Sequence, residues 1–131
     1  HAEARSDVLG ALNQIKQADI RAGLALLRPT VPKTVERLIQ TAEHVLIFSG
    51  ELGRFGGTAS LMQLEKIRLV KAINPQVEIG WDGGVTVDNA YSLVQGGVDI
   101  LNVGGAIQKS SDPRGAFARL QQEINKTGVL G

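Results

Sequence analysis

Apolar residues along this chain recur in two alternating patterns, one with the period of a helix and one in short unbroken runs. Between Ser6 and about Asp19, Val8, Leu9, Leu12 and Ile15 fall at helical spacing, and Ser6 stands where an N-cap belongs. Ile20–Leu26 then has the length and composition of a buried strand, ending in a turn around Pro29-Thr30. Val35, Leu38, Ile39 and Ala42 return to the helical period, and Val45–Phe48 predicts a second strand. A long glycine loop over Ser49–Thr58 follows it. Leu61, Leu64, Ile67, Val70 and Ile73 predict a helix that stops before Pro75, and Val77–Trp81 a third strand. Thr86 caps a helix carrying Val87, Ala90, Tyr91 and Val94, which Gly96-Gly97 closes. Asp99–Val103 is the fourth strand. Asp112-Pro113 then starts a last helix with Ala116, Phe117, Leu120 and Ile124.

This order, α-β-α-β-α-β-α-β-α, implies parallel strands joined by right-handed crossovers. Four such strands, buried by helices on one side only, make half of a (β/α)8 TIM barrel, a fold of about 250 residues when whole. A doubly wound sheet fits the same alternation, but its Gly-x-Gly-x-x-Gly fingerprint after a first strand is absent. With 131 residues the chain is read as one domain, a (β/α)4 half-barrel over residues 1–131.

Composition narrows the function more than the fold. A formal net charge of +1 gives no electrostatic case for nucleic acid or an acidic membrane surface. There is no cysteine, which excludes disulfides, thiol chemistry and thiolate metal sites. No apolar run approaches the roughly 18 residues of a membrane span, and no signal peptide is visible, so a cytoplasmic setting is the default. The chain begins at His1 rather than methionine, which leaves room for upstream residues. Of the 16 glycines, eleven cluster at 50–57, 80–84, 96–97 and 104–105, mostly just after apolar runs, where ligand-facing loops of a parallel sheet lie.

Val77–Val85 concentrates the candidate chemistry. An apolar run ends in Asp82, and Gly83-Gly84 follows before a helix. That arrangement delivers a carboxylate to the mouth of a sheet and lets backbone amides approach a ligand. Asp-Gly is also a favoured turn dipeptide, so a purely local role stays open.

Taken in order, five passages resemble the C-terminal half of the ribulose-phosphate 3-epimerase family. His1-Ala-Glu-Ala4 is similar to the end of the family's fourth strand, Gly23-Leu-Ala-Leu26 to its fifth, and Phe55-Gly-Gly57 to the loop after the sixth. Trp81-Asp-Gly-Gly-Val85 is similar to the end of the seventh, and Gly104-Gly-Ala-Ile107 with Ser111-Asp-Pro113 to the eighth and the helix beyond. The resemblance implies a sugar phosphate held by backbone amides of Gly56 and Gly57, Gly83 and Gly84, and Gly104 and Gly105. It also implies that Asp82 is one half of an acid/base pair and touches a divalent metal. Epimerisation beside a ketone needs a base on one face of the carbon and an acid on the other. The second aspartate and the metal-holding histidines belong to earlier strands, so Asp82 would ligate a metal only if a partner supplied the other ligands.

The sequence departs from the family in places. Its Pro-Gly-Phe-Gly-Gly loop stands here as Leu52-Gly-Arg-Phe-Gly-Gly57, with Arg54 either assisting phosphate or solvated. A hydroxyl residue is replaced by Gly105, and the Leu27–Lys33 turn is longer. His44, just before a strand, reads as structural, and Trp81 as core, because neighbouring strand residues point to opposite faces.

A four-stranded parallel half-barrel leaves two edges and one apolar face open, and a homodimer about a twofold axis would close the ring. The expectation is a family-like half-barrel that binds phosphate or a sugar phosphate without efficient turnover alone. The alternatives are the C-terminal half of a split epimerase and a purely structural assembly.

Overall fold

A computed structural model of the chain describes residues 1–54 and 57–126. Helix α1 (Val8–Gln17) precedes β1 (Gly23–Leu26), and a 3-10 turn at Pro32–Val35 leads into α2 (Glu36–Thr41). Strand β2 (His44–Phe48) is followed by a 3-10 turn at Leu61–Gln63 and α3 (Leu64–Ile73). Then come β3 (Glu78–Asp82), α4 (Val87–Gln95), β4 (Ile100–Asn102), a four-residue helix α5 (Gly105–Gln108) and α6 (Pro113–Ile124). All pairings are parallel, in the order β1-β2-β3-β4. The predicted alternation is therefore the observed one, with α5 added between the fourth strand and the last helix. Among the described residues no helix is long and apolar enough to cross a membrane.

Strand alternation divides the sheet cleanly. Leu24, Leu26, Val45, Ile47, Ile79 and Trp81 are at most 2 % exposed and pack with Leu12, Ile39, Ile67, Val70, Ala90, Leu93 and Leu120 of the helices. Trp81 thus belongs to the core, as its parity with Asp82 requires. On the opposite face the register stacks three rows. Gly23, His44 and Glu78 lie at the N-terminal end, Ala25, Leu46, Gly80 and Ile100 in the middle, and Phe48, Asp82 and Asn102 at the C-terminal end. Such rows are what fill the inside of a (β/α)8 barrel. Among the described residues no layer covers this inner face, and Ile100 remains 41 % exposed.

Two side chains pin the N-terminal rim of the sheet. The Glu43 carboxylate accepts the Ala22 N–H at 2.8 Å while the Glu43 N–H donates to Ala22 O at 2.9 Å. The same exchange recurs between Asp99 and Ile79, at 2.8 and 2.9 Å. His44 Nδ1 lies 2.9 Å from Glu78 Oε1, and Arg21 reaches the same oxygen at 3.2 Å. The His44 hydrogen bond, with help from the nearby Arg21 guanidinium and against some desolvation, holds the Glu78 carboxyl below the usual range. His44 is the first residue of β2 rather than a residue before it, and it lies at the end of the sheet away from the glycine loops.

Several boundaries differ from expectation for identifiable reasons. β1 starts at Gly23, not Ile20, because α1 ends in a turn with Asp19 at φ 56°, and the Ile20 N–H folds back to Ile15 O. Ile20 is consequently 61 % exposed. Asp7 rather than Ser6 caps α1, accepting the Gly10 N–H at 2.9 Å. Leu61 sits in the 3-10 turn, outside α3. Asp112 caps α6 by accepting the Gly115 N–H, with Pro113 in the first turn. Only half of the α6 stripe is buried: Ala116 and Leu120 are inside, whereas Phe117 is 52 % exposed. Phe117 borders an apolar groove with Leu101, Val103 and Ile107 beside β4, one of the two edge strands of the sheet.

Candidate functional site

The C-terminal end of a parallel sheet is where loops are free to vary, and in this chain the glycines gather there. A cleft of about 420 Å³ opens between the ends of β2, β3 and β4. Its floor is the last row of the inner face: Phe48, Asp82 and Asn102, in register on adjacent strands. Three loops supply the walls. The loop after β2 brings Gly50, Arg54 and Gly57, the turn after β3 Gly83, Gly84 and Thr86, and the segment after β4 Gly104, Gly105 and Lys109. Asp82, Gly57, Gly83, Gly84, Gly104 and Gly105 are thus brought together from three separate stretches. Gly56 lies outside the described residues.

The turn after β3 is set by contacts that only glycine permits. Gly83 and Gly84 have φ of 110° and 69°, a region costly for residues with a Cβ. A Cβ on Gly83 would stand 2.4 Å from Gly50 N, and one on Gly84 2.1 Å from Ala59 N, both rigid backbone. The loops after β2 and β3 therefore touch main chain to main chain. Trp81 Nε1 donates to Gly83 O at 3.1 Å, and Asn89 Nδ2 donates to Gly84 O at 2.9 Å. In a trans peptide the next N–H points opposite to its carbonyl. Fixing these two carbonyls therefore orients the N–H groups of Gly84 and Val85 away from Trp81 and Asn89. Asn89 also accepts the Thr86 N–H at 2.9 Å, so one amide side chain ties the turn to the start of α4.

The loop after β2 is anchored from below by Ser49, which is fully buried. Its N–H donates to Asp82 O at 2.8 Å and its Oγ accepts the Ser60 N–H at 2.6 Å. Arg54, at the rim, lies 3.1 Å from Glu51. Four contributors to this cleft escape the sequence reading. Phe48 and Asn102 become visible only once register places them beside Asp82. Ser49 and Asn89 act on main-chain atoms and carry no motif.

The donor set does not suit a resident metal. Among the described residues no three His, Cys, Asp or Glu side chains converge as metal ligands, and the neighbours of Asp82 in its row are a phenyl ring and a carboxamide. The divalent metal implied by the resemblance therefore does not fit this chain's own residues.

Residues 1–108 match the ribulose-phosphate 3 epimerase family. The chain belongs to that family. Among curated relatives, the ribulose-phosphate 3-epimerase of Helicobacter pylori (strain 26695) is 35 % identical over 126 residues, covering 92 % of this chain and 58 % of the relative. The chloroplastic ribulose-5-phosphate-3-epimerase of Arabidopsis thaliana is 32 % identical over 121 residues, covering 86 % and 42 %. The chain thus spans about half the length of these relatives. Among solved structures, 3-hexulose-6-phosphate synthase from Salmonella typhimurium superposes with a TM-score of 0.69 at 19 % identity, over 92 % of this chain and 58 % of that one. That likeness identifies the fold, an α/β sheet of TIM-barrel type with part of the barrel's strands. The resemblance drawn from the ordered motifs holds. α6 extends beyond the segment matched to the ribulose-phosphate 3 epimerase family.

Proposed function

We propose that this chain is the phosphate-gripping part of a ribulose-phosphate 3-epimerase-type barrel. In this reading it binds the phosphate of a sugar phosphate through the backbone amides of its three glycine loops. The observation that carries the reading is the convergence of Gly57, Gly83-Gly84 and Gly104-Gly105 on one cleft. Glycine amides suit an anion because no Cβ keeps the oxygens away from the N–H groups. Asp82, on the floor of the same cleft, presents one carboxylate to the sugar.

One carboxylate limits the chemistry. Inversion beside a ketone removes the carbon-bound proton to a base on one face, leaving an enediolate, and returns a proton from an acid on the other face. Asp82 can serve one face. The group for the other face comes from outside these four strands, so the chain alone binds without efficient turnover.

Titration with inorganic phosphate and then ribulose 5-phosphate, followed by amide chemical shifts, tests the binding. The expected result is saturable movement of the Gly57, Gly83, Gly84, Gly104 and Gly105 resonances, unchanged in direction in Asp82→Asn. Shifts confined to other surfaces, or none at millimolar ligand, would sink the reading.

The uncovered inner face and the free β4 edge favour a companion that completes the ring. A second copy supplies one by symmetry: two fourfold sets of parallel strands close when β4 of each copy meets the outer side of the other's β1. That outer side already carries the first residues, since the Ala2 N–H donates to Ala25 O at 2.9 Å, so β4 would dock against them. Light scattering at micromolar concentration should give twice the chain mass of 13.9 kDa. A well-behaved monomer would leave the closing role to a separate N-terminal half.

A further inference from the structure

We propose that Arg28 and Arg54 form a second anion subsite beside the glycine cleft, so that the favoured ligand is a sugar carrying two phosphate groups. The proposal rests on the phosphate reading of that cleft. A recess of about 350 Å³ adjoins it and shares Gly50, Arg54 and Gly57 as a common wall. On its far side stand Arg28, from the turn after β1, and the loop residues Glu51 and Thr58. Two arginines from separate loops therefore line one recess.

Neither arginine is used up by the fold. Arg54 meets Glu51 through Nη1 at 3.1 Å, which leaves the rest of a planar five-donor fork for another acceptor. Among the described residues, none pairs with the Arg28 guanidinium.

The turn carrying Arg28 is held from both sides. Lys66 Nζ donates to Leu27 O at 2.7 Å and to Arg28 O at 2.6 Å. Glu3 accepts the Leu27 N–H at 2.9 Å and the Thr30 hydroxyl. Burial opposes the Glu3 charge, but hydrogen bonds from Thr30 and the backbone outweigh it and hold its carboxyl below the ordinary range. Burial holds the Lys66 ammonium below its ordinary pKa, with Glu3 partly restoring it and Arg28 lowering it further. Lys66 and Arg28 are thus kept near one another by this turn, and an anion seated beside Arg28 offsets their repulsion.

Both arginines lie where the chain departs from the loops of the family it resembles, Arg54 as an insertion between Gly53 and Phe55 and Arg28 in the longer turn after β1. Two anion subsites with a shared wall suit one short sugar phosphorylated at both ends. A monophosphate fills only the glycine cleft.

Calorimetric titration of the full chain with ribulose 5-phosphate and with ribulose 1,5-bisphosphate tests this. The bisphosphate should bind about tenfold more tightly, the gain of one well-formed charge-assisted contact. Arg28 lines the second recess and not the cleft, so Arg28→Gln should reduce that preference to about twofold, with monophosphate affinity unchanged. A readout free of any variant is the arginine Nε–H resonances, which should shift at Arg28 with the bisphosphate and stay in place with the monophosphate. Equal affinities in the unmodified chain, or a preference that survives Arg28→Gln, would overturn the second subsite and leave the glycine cleft standing. Failure of both ligands to bind would remove the two readings together.

Discussion

Replacing Gly84 with alanine is expected to cost the protein about 3 kcal/mol or more of stability, and with it phosphate binding. Two terms add. A φ of 69° carries a penalty for any residue with a Cβ, and the new methyl would stand 2.1 Å from Ala59 N and 2.4 Å from Thr58 C. Main chain cannot swing aside as a flexible side chain would, so the loops after β2 and β3 must separate. The cleft between them opens with that movement. In thermal unfolding the midpoint should fall by about 10 °C. Gly53→Ala provides the comparison, since φ there is 77° but nothing lies within 4 Å of the added Cβ. Its cost should be backbone strain alone, about 1 kcal/mol. Equal losses at the two positions would show that contact between the loops contributes nothing.

Truncating Trp81 to alanine should destabilise the chain by about 3–5 kcal/mol, the range for removing a large buried aromatic. Its indole is fully buried between the sheet and the helices, and its Nε1 also holds the Gly83 carbonyl. Those two functions separate in Trp81→Phe. The phenyl ring keeps most of the volume but has no donor, so Gly83 O is left unpaired at a cost of about 1–3 kcal/mol. Urea unfolding measures the stability of both variants, and phosphate titration reports the turn. Trp81→Phe should stay folded and bind phosphate more weakly. Unchanged binding in a folded Trp81→Phe would mean that the indole hydrogen bond does not orient the Gly83-Gly84 peptide.

Much of the fold is written in short-range pattern. The parallel alternation follows from helical stripes such as Leu64, Ile67 and Val70 set between compact strand runs, and Pro75, Thr86, Gly96-Gly97 and Asp112-Pro113 each mark a helix end. Where local pattern misleads, a longer-range contact has decided. Ile20 looks like strand, yet the main chain at that point is still closing α1. Phe117 looks like core, yet the strand that would cover it is not among these four. The helix at Gly105–Gln108 is too short and too glycine-rich to register as a period. For the cleft, the glycines and Asp82 are legible because each ends an apolar run. Phe48 and Asn102 are legible only through register, and Asn89 only through a carbonyl that sequence does not display. Arg28 has no local mark at all, and its relation to Arg54 exists only in three dimensions.

The exchanges of Glu43 with Ala22 and of Asp99 with Ile79 fasten the sheet at the end remote from the cleft. Each joins the start of one strand to the residue leading into its neighbour, so alignment is decided before the chain reaches the glycine loops. The loops are thereby relieved of folding duty except where Gly83 and Gly84 press against the neighbouring main chain. The exposed Glu51–Arg54 segment can therefore change in sequence, altering what the rim accepts, while the strands keep their alignment.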